Sequence, residues 1–178
     1  MKRRKGSSSF DRRTFLKQSA CAFMILQSGS ARTYAQNEKL NIVSVGAGGK
    51  AASDINSVSS ESIIGLCDVD DNRASGAYNR YPKAKKFRDY RKMFDEMSSE
   101  IDAVIVATPD HHHFHASMAA LERKKHLYTE KPLTHSVWEA RELTRAARIS
   151  GVATQMGNQA QATDETRRVQ EYVMDGVV

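Results

Sequence analysis

Leu40-Asn41-Ile42-Val43-Ser44-Val45-Gly46-Ala47-Gly48-Gly49-Lys50-Ala51 is an apolar run that breaks on a glycine-rich turn. The run has the length and β-branched content of a buried strand, and the residues after it have helical spacing. The pattern is G-x-G-x-x-A. Gly46 permits a tight turn, Gly48 lets a backbone approach a pyrophosphate, and the small Ala51 allows the helix to pack close to the strand. The first N–H groups of that helix have no intrahelical partner, so they form a site for phosphate. Gly46, Ala47 and Gly48 are therefore candidate binders of a dinucleotide.

Outward from this stretch, short apolar runs alternate with helical patterns. Strands are expected at 40–45, 62–67, 85–87 (weakly), 103–107, 126–129 and 152–156. Helices are expected at about 49–58, 72–80, 90–97, 112–123 and 137–149, with a last one near 165–174. Ser136 with Glu139 three residues on predicts a capping box, and Gly151 a C-terminal stop. Regular alternation of this kind predicts an α/β fold, a doubly wound parallel sheet of the Rossmann type. Asp68 stands 20 residues after Gly48, at the end of the second strand. A carboxylate there can accept hydrogen bonds from the adenosine ribose, which favours NAD over a 2′-phosphorylated cofactor. With Asp70 and Asp71 following, Asp68 also reads as a residue at a helix N-terminus.

Charge narrows the class of ligand. The chain carries 27 Lys and Arg against 21 Asp and Glu, but eight of those bases and only one acid fall in residues 1–35. Residues 36–178 are left with 19 bases and 20 acids. The folded part thus has no electrostatic footprint for nucleic acid. The basic segment instead reads as an address. Arg12-Arg13-Thr14-Phe15-Leu16-Lys17 precedes the short apolar stretch Ala20–Leu26, and Thr33-Tyr34-Ala35 offers a cleavage site. This resembles a twin-arginine export signal, as opposed to a disordered basic arm. It predicts contact with the twin-arginine export machinery and a periplasmic or extracellular location. The apolar stretch is far too short for a membrane anchor. Cys67 lies in an apolar run and reads as a buried, inert thiol.

Polar residues gather at the C-terminal ends of the later predicted strands: Thr108-Pro109-Asp110, Glu130-Lys131-Pro132 and Met156-Gly157-Asn158-Gln159. In a doubly wound sheet these ends line one crevice, where ligands bind. His111, His112, His113 and His115 suggest a metal by composition. Adjacent helical residues diverge, however, and no Cys or carboxylate pattern completes a set, so no metal site is expected. A cleft role for His113 and solvated histidines at a helix start both remain open. Lys131 precedes Pro132 and is biased to extended backbone. Its ammonium can meet a substrate hydroxyl and stabilise charge as hydride departs, or it can be a surface lysine paired with a carboxylate.

Thr108-Pro109-Asp110-His111-His112-His113, a helix, and then Lys125-His126-Leu127-Tyr128-Thr129-Glu130-Lys131-Pro132-Leu133 closely resemble the glucose–fructose oxidoreductase (Gfo/Idh/MocA) family. Arg88–Met93 and Met156–Gln159 resemble it too, and the likeness runs from Leu40 to Val178. It implies an NAD(P)-binding domain over 36–157. Residues 158–178 would lead into an α/β substrate domain that this chain lacks. By the resemblance, Gly46, Ala47, Gly48 and Asp68 bind cofactor, with NADP the lesser fit. Thr108, Pro109 and His113 lie along the cofactor, and Glu130 and Lys131 sit beside the nicotinamide, with Lys131 catalytic. The implied activity is hydride transfer on a sugar, polyol or related hydroxy compound by a protein that is a homo-oligomer at full length. An NAD-dependent glycoside hydrolase of the same fold and a non-catalytic nucleotide-binding fragment are the alternatives. Lys124 stands where the family usually has a helix-ending Gly, and Gln161 where exported relatives often carry His.

Overall fold

In the computed structural model, which describes residues 39–177, six short strands form one sheet. The export signal read over 1–35 lies outside the described residues. The strands are β1 (Asn41–Val45), β2 (Ser62–Cys67), β3 (Lys85–Phe87), β4 (Ala103–Val106), β5 (His126–Glu130) and β6 (Thr154–Gly157). Their spatial order is β3-β2-β1-β4-β5-β6, and every neighbouring pair is parallel. Chain direction across the sheet reverses between β1 and β4, the point where a crevice opens in such folds.

The helices are α1 (Lys50–Ser57), α2 (Asp71–Arg80), α3 (Tyr90–Met97), α4 (His113–Glu122), α5 (Val137–Ser150) and α6 (Asp164–Met174). Alternate residues of each central strand face opposite ways, so the core has two layers. Ile42, Leu66 and Ile105 meet Ile55 of α1 and Ala74 and Ala77 of α2 on one face. Val43, Val45, Val104 and Leu127 meet Met93 and Phe94 of α3, Leu121 of α4 and Leu143 of α5 on the other. Cys67 is buried in this second layer, and burial, then the charges of Asp89 and Asp68, push its thiol up to about 12. No described helix covers β5 and β6 on the α1 side. A groove of about 540 Å³ remains there, floored by Ala103, Ile105, Tyr128 and Ala153.

The expected capping box is present: Glu139 N–H donates to Ser136 Oγ, and Glu139 Oε2 accepts the N–H of Ser136. Gly151 closes α5 at φ 68°. Most expected boundaries hold to within one residue, and two differences are larger in kind. Asp110–His112 form a single 3₁₀ turn before α4, and β6 begins at Thr154. Val152 packs on the core from the loop, and the Ala153 N–H goes to the ring Nδ1 of His126. Lys124 ends α4 in the left-handed region (φ 54°). The Lys125 and Lys124 N–H groups donate to the carbonyls of Ala120 and Leu121, the bonding of a helix stop that ordinarily selects glycine.

Candidate functional site

The glycine turn joins β1 to α1 at the reversal point. Gly46 has φ 98°, and its N–H donates to the Cys67 carbonyl. A Cβ there would fall 2.5 Å from the Ala107 carbonyl oxygen, so β1 and β4 meet too tightly for any side chain. Gly48 has a reason inside the protein as well: its Cβ would fall 2.6 Å from the Arg73 carbonyl oxygen. Asp68 braces the turn, accepting the Ala47 N–H at 2.8 Å on one oxygen and the Asp70 N–H at 3.0 Å on the other. Asp70, not Asp68, caps α2. At α1, no side chain caps the N-terminus and no acid occupies the first turn. Among the described residues its leading N–H groups are thus left without a side-chain acceptor, which suits them to an anion. The residues present fit a dinucleotide pyrophosphate.

The other expected residues converge at the ends of β4 and β5. The Lys131–Pro132 peptide is cis, a feature the extended bias before Pro132 did not specify. His113 is 1% exposed, and its ring lies between two carbonyl oxygens, that of Pro132 at 2.6 Å from Nδ1 and that of Thr108 at 2.7 Å from Nε2. Its burial corrects the alternative of a solvated histidine at a helix start. A sealed ring with both nitrogens engaged holds the two turns together. Thr108 presents a buried hydroxyl with no protein partner among the described residues, and Pro109 is exposed beside it. Lys131 is exposed and makes no ion pair among the described residues, so the alternative of a surface lysine paired with a carboxylate is not seen.

Glu130 is 4% exposed and carries the densest polar contacts of the site. Its Oε1 accepts from Gln159 Nε2 at 2.6 Å and Tyr128 Oη at 3.1 Å, and lies 3.2 Å from Lys50 Nζ. Burial would raise its carboxyl, but the bonds from Gln159, Lys50 and Tyr128 and the ammonium charge hold it below the usual range. The Tyr128 phenol is pushed up to about 12, by burial and then by its bond to Glu130. Lys50 also reaches Asp54 at 2.5 Å. Burial raises the Asp54 carboxyl, opposed by the Lys50 bond and reinforced by the Glu130 charge. Lys50 is raised by Asp54 against the pull of burial. Sequence reasoning missed Lys50, Asp54, Tyr128 and Gln159 as partners of Glu130. The Lys50/Asp54 pair at i, i+4 was the one available signal, and it reads as an ordinary surface ion pair.

The remaining histidines stay apart from this centre. His112 and His115 stack at 5.7 Å between ring centroids, and burial followed by the neighbouring histidines lowers His112. Among the described residues no three His, Cys, Asp or Glu side chains are grouped to hold a metal ion. No described helix is long and apolar enough to cross a membrane.

A family model described as an oxidoreductase family with an NAD-binding Rossmann fold matches residues 40–158. Inositol 2-dehydrogenase of Salmonella typhimurium is 28% identical over 97 residues, which cover 54% of this chain and 28% of that protein. An NAD-binding oxidoreductase from Klebsiella pneumoniae superposes with a TM-score of 0.64 at 25% identity, covering 78% of this chain and 39% of that one. A dehydrogenase from Thermus thermophilus, solved with NAD and alpha-ketoglutarate, shares the fold at a TM-score of 0.68 and 17% identity, over 76% of this chain and 47% of its own. The chain spans under a third of the length of this curated relative and under half of these solved ones.

Proposed function

The chain belongs to the Gfo/Idh/MocA oxidoreductase family and carries its NAD-binding Rossmann fold, and from that premise we propose that residues 36–157 are the cofactor-holding domain of an enzyme that transfers hydride between NAD and a hydroxyl-bearing carbon of a sugar, polyol or related compound. One observation carries the reading. A bare helix N-terminus behind Gly46-Ala47-Gly48, a carboxylate at Asp68 and an unpaired Lys131 all stand at the C-terminal ends of one parallel sheet. The polyol dehydrogenase among the relatives supports the substrate class.

The residues divide the work along the cofactor. The N–H groups at the start of α1 would take the pyrophosphate. Asp68, whose oxygens each keep a free lone pair, would take the ribose hydroxyls. Thr108 and Pro109 would line the middle, the Thr108 hydroxyl finding its missing partner there. Glu130 and Lys131 would stand at the nicotinamide end. Bound NAD supplies the hydride acceptor. Lys131 would then donate a hydrogen bond to the substrate hydroxyl oxygen and stabilise the negative charge that grows as its C–H bond breaks.

The proposal extends beyond the cofactor-holding domain. Arg12-Arg13-Thr14-Phe15-Leu16-Lys17 supports export through the twin-arginine route, after folding. Residues 158–178 are assigned to the connection towards a substrate domain, and the whole enzyme to a homo-oligomer.

Calorimetric titration of the 178-residue chain with NAD and NADP tests the cofactor reading. Saturable NAD binding is expected, tighter than NADP. Asp68→Ala should weaken it about tenfold or more, because charge-assisted bonds to the ribose and the brace on Ala47 are lost together. A folded chain that binds neither nucleotide sinks the proposal.

A further inference from the structure

Neither Lys50 nor Asp54 has a place in the hydride-transfer reading, yet together with Glu130 they join the glycine turn to the turn that carries Lys131. We propose that Lys50 and Asp54 are positioning residues for Glu130: they seat its carboxylate against Gly157 and so fix the Glu130-Lys131-Pro132 turn relative to the bound cofactor. The inference rests on the cofactor reading above.

Four observations carry it. Glu130 is almost fully buried, and Lys50 is the only cation against it among the described residues. A buried carboxylate persists only when a cation and several donors compensate its lost hydration. Second, the Lys50 side chain keeps 48% exposure, so its ammonium had solvent available and is nevertheless drawn inward to two carboxylates. Third, Asp54 Oδ2 is buried with no hydrogen-bond partner, in a side chain 7% exposed. An unmet acceptor of this kind is costly, and native folds retain few. Fourth, the seat is shaped to its occupant: a Cβ on Gly157 would fall 2.5 Å from Glu130 Oε1.

The connection is short. Lys50 follows Gly49, itself at φ 55°, so its backbone is set by the glycine turn. Asp54 lies one helical turn on, on the same face. Glu130 is bonded directly to Lys131. A shift of the glycine turn as it takes the cofactor reaches Lys131 through one ammonium. The polar groups facing Glu130 are Lys50 and Asp54 from α1, Tyr128 from its own strand and Gln159 after β6.

The competing role is simple attraction of the cofactor phosphates by Lys50, and charge balance separates the two. NAD affinity of the 178-residue chain is measured at neutral pH and near pH 5 for the wild type, Lys50→Met, Asp54→Asn and the double variant. Lys50→Met should weaken NAD at least about tenfold, since it leaves two buried carboxylates unpaired. Lowering the pH should restore binding as one carboxyl takes up a proton. The double variant, which removes one negative charge along with the positive one, should recover most of the loss at neutral pH. The carboxyl carbon of Glu130, followed by NMR, should titrate higher in Lys50→Met than in the wild type. A double variant as weak as Lys50→Met, with no recovery on acidification, overturns the proposal. Should Lys50→Met fail to fold, folding and binding by the double variant support it, and failure of both overturns it. A wild-type chain that does not bind NAD removes the cofactor reading, and this inference with it.

Discussion

Strands β2 and β1 have helices packed on both faces, whereas among the described residues β5 and β6 are covered only by α4 and α5. The difference shows along the strands: four of five residues of β1 are buried, but one of four in β6. It shows in the helices too. α1 seals Ile55 completely, while α5, although 14 residues long, buries only Leu143 over a cavity of about 320 Å³. The enclosed half holds the glycine turn in a fixed frame. The open half carries Glu130 and Lys131, and its polar contacts hold it where packing does not.

Four substitutions break or sharpen this contrast. Gly46→Ala should have the largest effect, a loss of about 4 kcal/mol or failure to fold, because the new Cβ meets the Ala107 backbone at a φ that disfavours it. Urea unfolding measures it, and a cost under about 1 kcal/mol would mean that β1 and β4 can part at the reversal point. Next, Ile55→Ala should cost about 4 kcal/mol and Leu143→Ala about 2, since the looser surroundings of Leu143 can relax into the space. Equal costs by the same method would erase the distinction between the halves. Smallest is Lys124→Gly, which should stabilise by about 0.5–1 kcal/mol by relieving a left-handed residue. A lower Tm for this variant would show that the lysine side chain contributes there.

The enclosed half was also the more legible. Its apolar runs are bounded by turn residues, and even the three-residue β3 could be read from Lys85-Lys86-Phe87 between two helical patterns. The ends of α5 were readable because Ser136, Glu139 and Gly151 act locally. The site was legible in its residue types and not in their partners. His113 answers to two backbone carbonyls, which have no sequence signature. Asp68 was read for a ligand, yet its visible partners are two N–H groups of the protein. Glu130 meets Lys50 across 80 residues of chain, a pairing that only the strand order creates. The start of β6 was misplaced because Val152 is apolar for packing from a loop, which looks the same as a strand position.

The His113 ring between the Thr108 and Pro132 carbonyls is a rigid spacer of fixed width. Water in its place would allow the two turns to drift and re-pair; an aromatic ring does not stretch. The Thr108 turn and the Lys131 turn are thereby mechanically one body. The width of the crevice between these two turns is thus set by a ring of the protein itself.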